Sequence, residues 1–87
     1  MQFGVVPRVE QYTEITFDYF NREIVIFCNK RQVIRRLIKR VKAPFKKDIN
    51  KDGEVMSITF KLDFTDKNLK KVLSITTLLG SMRIGRE

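Results

Sequence analysis

Histidine and tryptophan are absent from this 87-residue chain, cysteine occurs once, and no acidic residue stands between Ile24 and Lys47. Each absence excludes something. Without histidine there is no ordinary base to activate a cysteine nucleophile, so Cys28 is expected to be a buried, inert thiol. A lone cysteine makes no intramolecular disulfide and, with no histidine beside it, supplies no zinc ligand set. No glycine-rich phosphate loop is present. No cofactor and no metal are expected, and the chain is read as non-enzymatic. The start Met1-Gln2-Phe3-Gly4 lacks the layout of a secretory signal, no apolar run has bilayer-spanning length, and no lipid-attachment box occurs. The expectation is a cytoplasmic protein without membrane insertion.

What is present is mostly apolar and basic. A hydrophobic content of 43% with 32% charged residues belongs to a chain that folds, and 87 residues suffice for one domain, with a core over about 10–79 and frayed termini. The net charge of +8 and pI near 10.0 draw it to nucleic acid, anionic membrane or an acidic protein.

Alternation of β-branched and aromatic residues predicts a first strand over Glu10 to Phe20, reversing at Asn21-Arg22-Glu23 into Ile24-Val25-Ile26-Phe27-Cys28 as an antiparallel hairpin. The second run is apolar on both faces and reads as a central strand. Asn29 with Gln32 forms a capping-box pattern for a helix whose stripe is Val33, Ile34, Leu37, Ile38 and Val41, ending before Pro44. Residues 43–53 read as a polar connection. Glu54 to Phe64 then alternate, with Met56, Ile58, Phe60, Leu62 and Phe64 facing one way and Val55, Ser57, Thr59, Lys61 and Asp63 the other. Thr65 or Asp66 caps a second helix with Leu69, Val72, Leu73 and Thr76 inward, stopping near 75–79. Residues 80–87 lack periodicity. The fold class is α+β: a compact single layer of antiparallel or mixed sheet with two helices, in the order β-β-α-β-α.

The loop Asp48-Ile49-Asn50-Lys51-Asp52-Gly53 has oxygen ligands spaced as in an EF-hand, but the twelfth position is Thr59 rather than a bidentate carboxylate. Asp, Asn and Gly are also turn formers, and a turn is the simpler reading. Glu14 and Asp18, spaced to share a strand face, are the nearest approach to paired acid–base carboxylates; solvating the hairpin explains them equally well.

The basic stretch carries the functional signal. Lys30, Arg31, Arg35, Arg36, Lys39, Arg40, Lys42, Lys46 and Lys47 are half of the eighteen basic residues, and four of the seven within 30–42 are arginine, whose planar fork matches phosphate. A solvated helix face normally mixes signs, because like charges one turn apart repel. Lys30 and Arg31 also oppose the helix dipole. The nucleic-acid-binding residues are therefore predicted to be Arg31, Arg35, Arg36, Lys39, Arg40 and Lys42 on the helix, extended by Lys46 and Lys47. Tyr12, Tyr19 and Phe20 are candidate base-stacking platforms, or else core and interface residues.

In layout, the runs Thr13-Glu14-Ile15-Thr16-Phe17-Asp18-Tyr19-Phe20, Arg22-Glu23-Ile24-Val25-Ile26-Phe27 and Phe64-Thr65-Asp66-Lys67-Asn68-Leu69-Lys70-Lys71-Val72-Leu73-Ser74 resemble small phage-encoded proteins of Gram-positive bacteria. The resemblance spans roughly residues 10–79, contains no signature motif and transfers no site residue. It implies an accessory protein acting in the host cytoplasm on nucleic-acid machinery, including inhibitors of host defence complexes. Two functions stand: a nucleic-acid-binding module, or an inhibitor or adaptor that docks on a host protein or nucleoprotein complex. A homodimer is compatible with either.

Overall fold

The structure, a computed structural model, describes residues 1–75 and the backbone of residues 83–86. Its elements are β1 (Thr13–Asp18), β2 (Glu23–Cys28), α1 (Arg31–Val41), β3 (Phe45–Ile49), β4 (Val55–Asp63), α2 (Asp66–Ile75) and β5 (Arg83–Arg86). They build one five-stranded sheet in the order β3-β4-β2-β1-β5. The β1–β2, β2–β4 and β3–β4 pairs are antiparallel, and β5 runs parallel to β1.

These directions decide where the helices lie. Strands β2 and β3 point the same way, as do β4 and β5, so α1 and α2 are each the crossover of a β-α-β unit with other strands inserted between. Right-handed crossovers place both helices on the same sheet face. There they touch, with the Lys71 ammonium donating a 3.0 Å hydrogen bond to the Val41 carbonyl at the end of α1. The α+β single layer and the central position of β2 are as expected.

Under the helices, rows of side chains meet across the sheet: Ile15, Ile26 and Phe60 stand opposite one another, fully buried, and Phe45 completes the row on β3. From α1 the stripe Val33, Ile34, Leu37 and Val41 closes over them. The other sheet face is covered by no described helix.

Two strands were illegible in the sequence. The connection expected over 43–53 contains β3, whose only half-buried residue is Phe45, so Lys46-Lys47-Asp48 shows no alternation. The tail expected to fray contains β5; residues 76–82 and 87, including Thr76 and the predicted end of the second helix, lie outside the described residues. The N-terminus is docked rather than frayed: the Val55 amide donates to the Gln2 carbonyl at 2.8 Å and the Gly4 amide to the Val55 carbonyl at 3.0 Å. Strand β1 is shorter than predicted at both ends: residues 8–10 coil into a 3-10 turn, and Tyr19 and Phe20 belong to the turn that leads into β2.

A bulge corrects the alternation of β4. Asp48 pairs with Ser57 but Ile49 pairs with Val55, so Met56 is an extra residue on β4. The bulge returns Val55 to the core at 4% exposure and turns Met56 away, the reverse of strict period two. In α2 the buried stripe is Val72 and Ile75 with Leu69 beside them, while Leu73 is 64% exposed. Thr65 caps that helix as expected, accepting from the Asn68 amide at 3.1 Å. Asn29 does not cap α1. Its side chain instead ties the N-terminal segment to β2, accepting from the Tyr12 amide at 2.7 Å and donating to the Glu10 carbonyl at 2.9 Å.

The loop with EF-hand-like spacing is the β3–β4 turn. Asp48 lies in a strand, and Asn50 Oδ1 accepts the amides of Asp52 and Glu54, both at 2.9 Å, while Gly53 takes φ +77. Among the described residues no group of three potential metal ligands gathers. Replacing Asn50 with Ala should cost about 1–2 kcal/mol, since both amides lose their acceptor. Urea unfolding measures that loss, and micromolar calcium should leave the midpoint of the native protein unchanged.

Candidate nucleic-acid interface

Helix α1 owes its amphipathic form to spacing: four fully or nearly buried residues at 33, 34, 37 and 41 leave the remaining faces outward. Arg31, Arg35, Arg36, Lys39 and Arg40 are all exposed, and Lys42 follows at the C-terminal cap. No residue of the helix is acidic. Arg35 lies with its guanidinium carbon 5.2 Å from the Phe3 ring centroid, so the docked N-terminal segment steadies one member of the row.

Three of these basic residues stand where helix stability favours another type. Lys30 is the N-cap, with extended backbone and no side-chain cap, a position at which Ser, Thr, Asp or Asn contributes about 0.5–2 kcal/mol. Arg31 occupies the first turn, where the dipole favours acids. Lys42 adopts the left-handed conformation, φ 52 and ψ 47, which glycine adopts without a steric penalty. Lys39 and Arg40, in the last turn, agree with the dipole.

The predicted eight-residue track divides at β3. Phe45 packs on the buried Phe60 with ring centroids 5.3 Å apart, which fixes its side of the sheet. Alternation then places Lys47 on the helix side and Lys46 on the opposite face, opposite Thr59. Lys47 can extend the α1 surface; Lys46 belongs to the other side.

That other face has the opposite character. Glu14, Asp18, Glu23 and Asp63 project from it, against Lys46 and Lys61, and Asp18, Glu23 and Asp63 stand in one cross-strand row. The Asp18 carboxyl is held below its ordinary value chiefly by the Asn21 amide, then by the Asn21 side chain, so it stays ionised and is unsuited to act as an acid. Two of the three candidate stacking residues are packed on their own chain: Tyr12 on Phe27 at 5.1 Å and Tyr19 on Phe64 at 5.5 Å. Phe20, 91% exposed, stands in the β1–β2 turn.

Cys28 is fully buried, and its sulfur accepts from the Thr13 hydroxyl at 3.2 Å and the Lys30 amide at 3.4 Å. Burial pushes its thiol above the ordinary range despite these bonds. Among the described residues no helix is long and apolar enough to cross a membrane. Comparison with protein-family models, curated proteins and solved structures gave no match.

The double substitution Lys30→Asp, Arg31→Glu supplies a cap and a favourable first-turn charge, and should raise unfolding stability by about 1–2 kcal/mol while weakening retention on immobilised nucleic acid. Because the folded-state pKa of Cys28 is raised, an unfolded chain ionises first as pH climbs; the thiol's contribution is complete at neutral pH and is lost above about 8.5. The stability difference between the native protein and Cys28→Ala should therefore shrink from pH 7 to pH 10.

Proposed function

We propose that the protein is a non-enzymatic nucleic-acid-binding module that meets phosphates with the exposed face of α1. Arg31, Arg35, Arg36, Lys39, Arg40 and Lys42 make the contacts, and Lys47 extends them from the helix side of β3. The observation that carries this reading is an eleven-residue helix with no acid, whose basic residues occupy even its first turn. A face selected only for solubility would mix signs and would place an acid or a capping side chain at residues 30 and 31.

The acidic open face supports the same reading, because it repels a polyanion and leaves the helix side as the approach. Arginine dominates the row, matching phosphate oxygens in pairs. The recognition is of backbone charge: the contacting residues are all cations, and Tyr12 and Tyr19 each have one ring contact within the chain, with Phe27 and Phe64.

Charge removal tests it. In Arg31→Gln, Lys39→Gln, Arg40→Gln the helix keeps good helix formers but loses three phosphate contacts, so the dependence of log affinity on log salt should become shallower by about 3. Circular dichroism should stay unchanged. Unaltered affinity and slope in a folded variant contradict the assignment, as does capture of a protein partner that survives nuclease while nucleic acid is not retained.

A further inference from the structure

The sheet ends at β3. In the order β3-β4-β2-β1-β5 this strand pairs with β4 alone, and among the described residues nothing pairs with its outer edge. Lys46, Lys47, Asp48 and Ile49 are all exposed there. An edge of this kind is open to another strand unless charge forbids it.

Charge and apolar matching together favour one register here. The strand reads Phe45-Lys46-Lys47-Asp48-Ile49, an apolar residue at each end, Lys46 and Asp48 symmetrically inside, and Lys47 at the centre. If two copies pair antiparallel about a two-fold axis through Lys47, Phe45 of each stands opposite Ile49 of the other on the helix side. Lys46 of each stands opposite Asp48 of the other on the open side. Two opposite-charge pairs and two apolar pairs then face a single like-charge meeting, Lys47 with its own copy.

Neighbouring registers lose part of this match. Slipping by two residues in one direction puts Lys46 against Lys46 and Phe45 against Lys47; in the other direction it puts Asp48 against Asp48 and Lys47 against Ile49. A slip by one residue would bring the two helical layers to opposite faces; in one direction it sets Lys46 against Lys47, and in the other it pairs Lys47 with Asp48 but sets the apolar Ile49 against Lys46 and gives up both apolar pairs. We propose that the β3 edge is a self-recognition surface, and that a second copy of this chain docks on it to form a two-fold dimer with a continuous ten-stranded sheet. Because β3 is used up at the axis, the assembly closes at two.

Both α1 helices then lie on one face of that sheet, with the two Lys47 side chains between them at the axis. The inference stands independently of the nucleic-acid reading, and its test uses nucleic-acid-free protein. Sedimentation equilibrium at physiological salt, where long-range repulsion between basic molecules is screened, should give a monomer–dimer curve over a micromolar-to-millimolar concentration series. A monomer throughout overturns the proposal. Asp48→Lys should weaken the dimer at least about tenfold, and adding Lys46→Asp to it should restore dimerisation by exchanging the charges across the axis. A dimer indifferent to Asp48→Lys, or not restored by the exchange, overturns the register.

Cross-linking provides a second measurement, independent of charge. Directly opposed strand residues have Cα atoms about 4.5–5.5 Å apart, within disulfide reach, whereas residues offset from one another by two positions along the strands are not. Lys47→Cys should therefore oxidise to a covalent dimer and Lys46→Cys should not, Cys28 being buried in both. Equal cross-linking of the two, or none by Lys47→Cys, contradicts the axis.

Discussion

The burial of α1's apolar stripe in the core it shares with the sheet and α2 is the interaction on which the rest depends. Val33, Ile34, Leu37 and Val41 are each at most 4% exposed. At roughly 1.5–3 kcal/mol for each buried aliphatic side chain, their burial amounts to about 6–12 kcal/mol. The uncapped N-terminus, the unfavourable first-turn charge and the left-handed Lys42 together cost about 2–3 kcal/mol. Burial wins, so the helix forms in spite of its charge distribution. Once the stripe points inward, Arg31, Arg35, Arg36, Lys39 and Arg40 are left on the exposed side of the helix.

Sheet topology gives that surface its polarity. Two crossovers of the same hand put both helices on one side and leave β1, β2 and β4 to present Glu14, Asp18, Glu23 and Asp63 on the other. A net charge of +8 is therefore unevenly spread. The Lys71 hydrogen bond to Val41 shows the same economy, because an α2 cation satisfies an α1 terminal carbonyl while its stem lies against the helix pair.

How much of this was legible in the sequence varied with periodicity. Elements whose apolar residues repeat at 2.0 or 3.6 were readable: the β1–β2 hairpin, α1 with its stripe, and β4. Strand β3 escaped because an edge strand buries almost nothing, and Lys46-Lys47-Asp48 reads as a solvated loop until β4 is seen beside it. Met56 and Val55 exchanged faces because one extra residue in a bulge inverts the alternation beyond it, and no local feature announces the insertion. Asn29 was drawn from capping by a partner seventeen residues away, the Tyr12 amide. The basic residues of α1 were all legible, since helix period and charge agree; the separation of Lys46 from Lys47 was not, since it follows from the strand that the sequence concealed.

Electrostatics also separates the two uses of basic charge in this molecule. On α1 the charges are unopposed within the helix, whereas on β3 Lys46 has Asp48 two residues away on the same face. We propose that the first, the one-signed helix face, is kept for phosphate. The most direct test is the affinity of the native protein for a nonspecific oligonucleotide across a range of salt concentrations. The six phosphate contacts of α1 predict a slope of log affinity against log salt near −5.4 for duplex DNA and near −4.2 for a single strand, to within about one unit. A slope indistinguishable from zero, or no binding at low salt, would contradict the account.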